Sequence, residues 1–234
     1  MASYDLAWRQ GVNGIEFDVQ LSSDGVPMVI HDARLTRTTS GSGWVHEHRA
    51  SVLRRLDAGS WFNRRHRLRA RERYAGARIP LLAEVLQWVK ARQCLAFVEI
   101  KDFQPGVAAK VLQEIERAGI WHLTRVLSFD LPTLQQAREL SEQARLGLDF
   151  SGRLLPIHHA LAFGAEALLP YWAIASKGLI RRAHRVGLKV IPWTVNYPMH
   201  MRRKILEGVD GLITNYPARL TEVLNRIEQA RTKM

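Results

Sequence analysis

Between Gly14 and Asp32 the chain reads GIEFDVQLSSDGVPMVIHD. Glu16 and Asp18 stand two residues apart in an otherwise apolar run, and His31 and Asp32 close a second apolar run after an Asp-Gly turn. Side chains on a strand alternate between its faces. Glu16 and Asp18 therefore share one face, and Ile15, Phe17 and Val19 share the other. The same count in AFVEIK places Glu99 and Lys101 on one face and Val98 and Ile100 on the opposite one. Three inward acids repel one another and are costly to desolvate. Two arrangements relieve that cost. One is a divalent cation, for which hard carboxylate oxygens suit Mg²⁺ or Ca²⁺. The other is an ion network in which Lys101 and nearby arginines neutralise the acids. His31 ends its strand close in sequence to the acids, with Asp32 beside it to orient the ring. General acid–base work is its natural role.

The elements that must hold these residues recur in a simple rhythm. Short apolar runs alternate with helical patterns. Strands are expected at GIEFDV, VPMVIHD, LAFVEIK, RVLSFD, RLGLDF, ALLPYW, KVIPWTVN and GLITN. Helices are expected at SYDLAWRQG, IPLLAEVLQWVKAR, GVAAKVLQEIERAG, LPTLQQAREL, GLIRRAHRVG and MRRKILEGV. Alternating strands and helices argue for an α/β fold with a mostly parallel sheet. Roughly seven or eight such strands, with no glycine-rich phosphate loop after any of them, favour a (β/α)8-type TIM barrel over an open doubly wound sheet. In such a barrel the acids would lie toward the C-terminal rim, where barrel active sites are found. One barrel domain over residues 1–234 is expected, broken by an irregular basic excursion at about 41–79 that contains Trp61 and Phe62.

Composition narrows the classes. The chain has 234 residues, 47% of them hydrophobic, a formal net charge of +12 and one cysteine. A single cysteine, Cys94, excludes an internal disulfide framework and any multi-cysteine metal site. Its position beside a strand reads as buried filler, and the lack of disulfides fits a reducing, cytoplasmic compartment. No run approaches the roughly 18 apolar residues of a membrane span, so stable membrane insertion is not expected. The positive charge suits an anionic partner. It is concentrated in RRHRLRARERYAGAR (64–78), which has little aromatic interleaving and matches no nucleic-acid module, so nucleic acid is not the expected partner.

These segments together resemble the glycerophosphodiester phosphodiesterase family. The resemblance rests on GVNGIEFDVQLSSDGVPMVIHDARLTRTTSGSGWV, then RIPLLAEVL, FVEIK, VLSFD, GLKVIPWTVN and GVDGLITNYP, in that order. It covers nearly the whole chain. It implies a phospholipase C-like (β/α)8 barrel that hydrolyses glycerophosphodiesters to an alcohol and sn-glycerol 3-phosphate. It implies a divalent cation on Glu16, Asp18 and Glu99, His31 as one of two catalytic histidines, Lys101 near the phosphate, and Trp193 lining the substrate pocket. VPMVIHD would then pair back on GIEFDV as a hairpin outside the barrel count.

The family pattern opens with a strand ending in H-R-G, then P-E-N-T, then a first helix. This chain begins MASYDLAWRQG, within that helix. The expectation is that Met1 is an internal methionine and that the natural protein carries the partner histidine and first barrel strand upstream. His46 and His48 match no family position. Asn215 stands where the family often has Asp. The competing expectation is a catalytically silent barrel that binds phosphodiester or metal without turnover. A phosphodiesterase of lysophospholipids, with Trp61 and Phe62 in an apolar lip, is a third.

Overall fold

The computed structural model describes residues 1–65, 74–101, 104–152 and 156–232. It divides into two compact units. The first comprises 1–2 and 17–124, the second 3–16 and 125–234, and the first strand of the chain passes from one to the other between 16 and 17.

That strand is β1 (Gly14–Leu21). Its apolar residues Ile15, Phe17 and Val19 are buried, as period-two alternation requires. In the first unit the chain turns at Asp24-Gly25 and returns as β2 (Pro27–Val29), antiparallel to β1 with Val19 opposite Val29. The expected hairpin is therefore present. β3 (Leu95–Ile100) lies on the other side of β1. Helices α4 (Leu82–Arg92) and α5 (Val107–Ala118) bury Val85, Leu86 and Val89, and Val111, Leu112 and Ile115, at helical spacing. Gly119 ends α5 in the left-handed conformation that favours glycine.

The expected irregular excursion has order of its own. It contains the short helices α2 (Ala50–Leu53) and α3 (Ser60–Arg65). Leu35, Val45, Ala50, Leu53 and Ile79 pack with Met28 and Ile30 into one apolar cluster. Phe62 stands edge-on to both Trp61 and Tyr74, with centroids 5.9 and 5.5 Å away, and the Trp61 Nε1–H donates to the Ala58 carbonyl. Both aromatics are half-buried, and the Arg37 guanidinium lies 5.9 Å from the Trp61 ring. Most of the basic run at 64–78 lies outside the described residues. Cys94 is buried, and burial pushes its thiol up.

In the second unit β4 (Thr124–Ser128), β5 (Leu146–Phe150), β6 (Ala167–Pro170) and β7 (Lys189–Val190) are parallel neighbours in that order. The intervening helices are α6 (Leu131–Leu140), α7 (Pro156–Ala162) and α8 (Lys177–Arg185). The Asp130 carboxylate caps α6 by accepting from the Thr133 N–H, and Ser176 caps α8 in the same way. The remaining helices are α1 (Ala2–Arg9), α9 (Pro198–Glu207) and α10 (Pro217–Thr232).

Two expectations need correction. KVIPWTVN forms only a two-residue strand, and GLITN forms none. The regular strand is short, but bonding to β6 runs past Pro192: the Ile191 and Trp193 N–H groups donate to the Leu168 and Pro170 carbonyls, and Tyr171 bridges to Trp193. The chain beyond is still tied by single bonds, from the Ile213 N–H to the Pro192 carbonyl and from the Val195 N–H to the Ile213 carbonyl.

Candidate active site

β1 and β3 present their acids as the alternation predicts. Ligand oxygens of Glu16, Asp18 and Glu99 all lie within 4.8 Å of one another. Glu16 and Asp18 are half-buried, and Glu99 is 8% exposed. Burial pushes the Glu99 carboxyl up to about 7, against the pull of Lys101 and with the help of the Asp18 carboxylate. Lys101 Nζ sits 3.3 Å from Asp18 and 3.5 Å from Glu99. Burial alone would lower that ammonium, but the two carboxylates outweigh it and hold it above its ordinary value. The ion network foreseen for the acids is present through Lys101. Lys101 neutralises one charge of three, and the remaining negative charge with its close-set oxygens fits a hard divalent cation.

His31 stands at the edge of this cluster. Its Nδ1 is 2.7 Å from the Asp32 carboxylate and its Nε2 is 3.2 Å from Lys101 Nζ. A carboxylate accepts only, and an ammonium donates only. The network therefore assigns the proton to Nδ1 and leaves the lone pair on Nε2. Asp32 is held in turn by Arg37, whose Nη2 lies 2.6 Å from Oδ1 and whose Nε pairs with Oδ2. That guanidinium, with the imidazole, keeps the Asp32 carboxyl well below the usual range, at about 2.

Two contributors escaped the sequence reading. Arg37 is one. The other is Gln20, which continues the Glu16–Asp18 face by two residues. Its Nε2 donates to the carbonyls of Ile30 (3.2 Å) and His31 (2.9 Å), fixing the backbone that carries the imidazole. The signal was the unbroken E-x-D-x-Q spacing, since a buried amide on a strand must find partners.

The other candidate residues have contacts of their own. Trp193 follows β7 in the second unit. Its Nε1–H donates to the Leu169 carbonyl, and its ring meets Tyr171 and Phe129 at 5.7 and 5.6 Å. His46 stacks on Trp44, and His48 Nδ1 lies 2.8 Å from the Trp44 carbonyl, so both are engaged inside the excursion. The Asn215 N–H donates to the Asn196 side chain.

Parallel strands with intervening helices, and strand-borne acids beside a histidine–carboxylate pair, fit an α/β hydrolytic site. The comparisons with known proteins are specific. The model of the glycerophosphoryl diester phosphodiesterase family matches residues 1–219, and the chain belongs to that family of phosphoric diester hydrolases. The chain is 33% identical over 230 residues to a glycerophosphodiester phosphodiesterase of Caldanaerobacter subterraneus, covering 97% of this chain and 91% of that protein. It is 30% identical to one from Bacillus subtilis, covering 92% and 78%. Among solved structures, a phosphodiesterase of Oleispira antarctica in complex with the product sn-glycerol-3-phosphate superposes with a TM-score of 0.87 over 96% of this chain and 90% of that one, at 24% identity. A Silicibacter pomeroyi protein described as a glycerophosphoryl diester phosphodiesterase superposes equally well, at 25% identity over 96% and 87%. The fold is α/β of the TIM-barrel type.

Proposed function

We propose that this protein hydrolyses glycerophosphodiesters to an alcohol and sn-glycerol 3-phosphate, with a divalent cation, Mg²⁺ or Ca²⁺, held by Glu16, Asp18 and Glu99. The observation that carries the reading is the shared placement of three carboxylates, Lys101 and the oriented His31. The relatives' names and the product bound to the Oleispira structure supply the substrate class.

In the reaction one P–O bond to the alcohol breaks, an oxygen nucleophile bonds to phosphorus, and the leaving oxygen gains a proton. The cation, when bound, stabilises the negative charge that builds on the phosphate oxygens. Lys101 contributes to the same stabilisation as a fixed ammonium. His31 Nε2 is the atom that takes or returns a proton. Asp32 and Arg37 hold the ring for it. Trp193 supplies an apolar wall for the substrate. We place all of this in one barrel domain, since a single family match spans residues 1–219. We place the activity in the cytoplasm, which suits a lone buried cysteine. Among the described residues no helix is long and apolar enough to cross a membrane.

The test is release of sn-glycerol 3-phosphate from glycerophosphodiesters by protein purified from its native host, with Mg²⁺, with Ca²⁺ and with chelator. Metal-dependent release that is lost in His31→Gln supports the reading. Metal binding without release supports the silent barrel instead.

A further inference from the structure

Helix α9 has two apolar faces, and the core uses one. Met201 is fully buried and Ile205 packs beside it, against Val195, Val223, Leu220 and Ile227. The other stripe, Pro198, Met199, Arg202 and Leu206, follows the same helical spacing and faces outward. With Val223, Arg226, Ile227 and Ala230 of α10 it lines an open furrow of about 430 Å³. Met199 is 73% exposed, Leu206 51%, and Tyr197 at the start of α9 is 64% exposed. Apolar exposure gathered in this way marks an interaction surface.

The charges say what kind. Arg202 and Arg226 reach the furrow from opposite helices. Among the described residues neither makes a side-chain hydrogen bond or an ion pair, whereas Arg203 beside them pairs with Glu207. On α8, Arg181, Arg182 and Arg185 are likewise exposed and, among the described residues, without an ion pair. Unneutralised guanidinium groups beside exposed apolar side chains call for an occupant that is anionic and apolar at once.

We propose that the α9–α10 furrow is a peripheral docking surface for an anionic phospholipid bilayer. Headgroup phosphates meet Arg202 and Arg226, and Tyr197, Met199 and Leu206 enter the interfacial layer. Aromatic and thioether side chains beside arginines are suited to that boundary. The net charge of +12 acts in the same direction over a longer range. A second copy of this chain is disfavoured, because a two-fold contact through one patch would set these arginines against each other. The surface is independent of the hydrolytic reading. Half of it comes from α10, nearly all of which lies beyond the family match at residue 219.

The experiment is co-sedimentation with vesicles of phosphatidylcholine alone and of phosphatidylcholine mixed with phosphatidylglycerol. Binding is expected only to the mixed vesicles. Each arginine near an anionic surface contributes about fivefold in affinity, so R202Q/R226Q should weaken binding ~25-fold. M199D/L206D should weaken it by at least as much, with an unchanged melting temperature. Met199→Gln, at a position largely in solvent, is the milder variant should the double change perturb folding, and it too should weaken binding. Three results would overturn the proposal: absence of binding, binding indifferent to Met199 and Leu206, or a solution dimer that M199D/L206D dissolves.

Discussion

Lys101 Nζ lies between two chemistries, 3.3 Å from the Asp18 carboxylate and 3.2 Å from the lone-pair nitrogen of His31. One ammonium thereby connects the acid cluster to the imidazole. Lys101→Met separates its two effects. Removing a positive charge beside the carboxylates should tighten divalent-cation binding, measured by calorimetry. Loss of charge stabilisation at the phosphate should lower kcat by about 10²–10³. A lysine that served only the fold would leave kcat at saturating metal unchanged.

The buried Glu99 makes stability without metal depend on pH. Its folded-state value is raised to about 7 from 4.5, so the folded protein binds the extra proton. This contribution is complete below about 4.5 and is lost as pH rises through about 7. Melting curves in chelator should show that fall, added Mg²⁺ or Ca²⁺ should diminish it, and Glu99→Gln should flatten it. A metal-free melting temperature that rises across this interval would contradict the assignment.

Asp32 acts in the opposite direction. Its carboxyl is lowered to about 2 from 3.8, so its contribution is present above 3.8 and is lost as pH falls through 2. Asp32→Asn should be less stable than the parent at neutral pH, and the difference should close under strong acid. Because Asp32 orients the imidazole, kcat should fall with little change in KM. Equal losses of stability at pH 2 and pH 7 would count against the Arg37–Asp32 pairing.

Gln20→Leu removes two donors from the carbonyls behind His31. Leaving buried acceptors unpaired costs about 1–3 kcal/mol. Chemical denaturation should show that loss, and kcat should fall with it. Gln20→Glu, which keeps the shape but reverses the polarity at Nε2, should do worse than leucine.

Gly59 is a position where only hydrogen fits. A Cβ there would lie 1.7 Å from the Tyr74 carbonyl oxygen, which is backbone and cannot swing aside. Gly59→Ala should destabilise the protein by about 1–3 kcal/mol or more. Limited proteolysis should then cut first within the excursion.

What could be read from the residues depended on whether a pattern has a period. Glu16, Asp18 and Glu99 were legible because strand alternation fixes their faces without reference to any partner. Arg37 and Gln20 were not singled out, because a polar side chain does not announce which distant group it will meet. GLITN misled because an apolar run has the same composition whether it forms a ladder or a few single bonds beside a proline. Helix α10 carries Leu220, Val223, Leu224 and Ile227 at helical spacing behind Pro217, and that signal was present but unread. Helices α2 and α3 are too short to establish a period at all.

The groups that hold the imidazole differ in when the chain delivers them. Gln20 and His31 are 11 residues apart, and Arg37 and Asp32 only five, whereas Lys101 follows His31 by 70. Chains emerge from the ribosome N-terminus first. The hairpin can therefore present an oriented histidine while β3 is still unsynthesised, and the half of the site proposed for acid–base work is a local folding product that the half proposed for cation binding later joins.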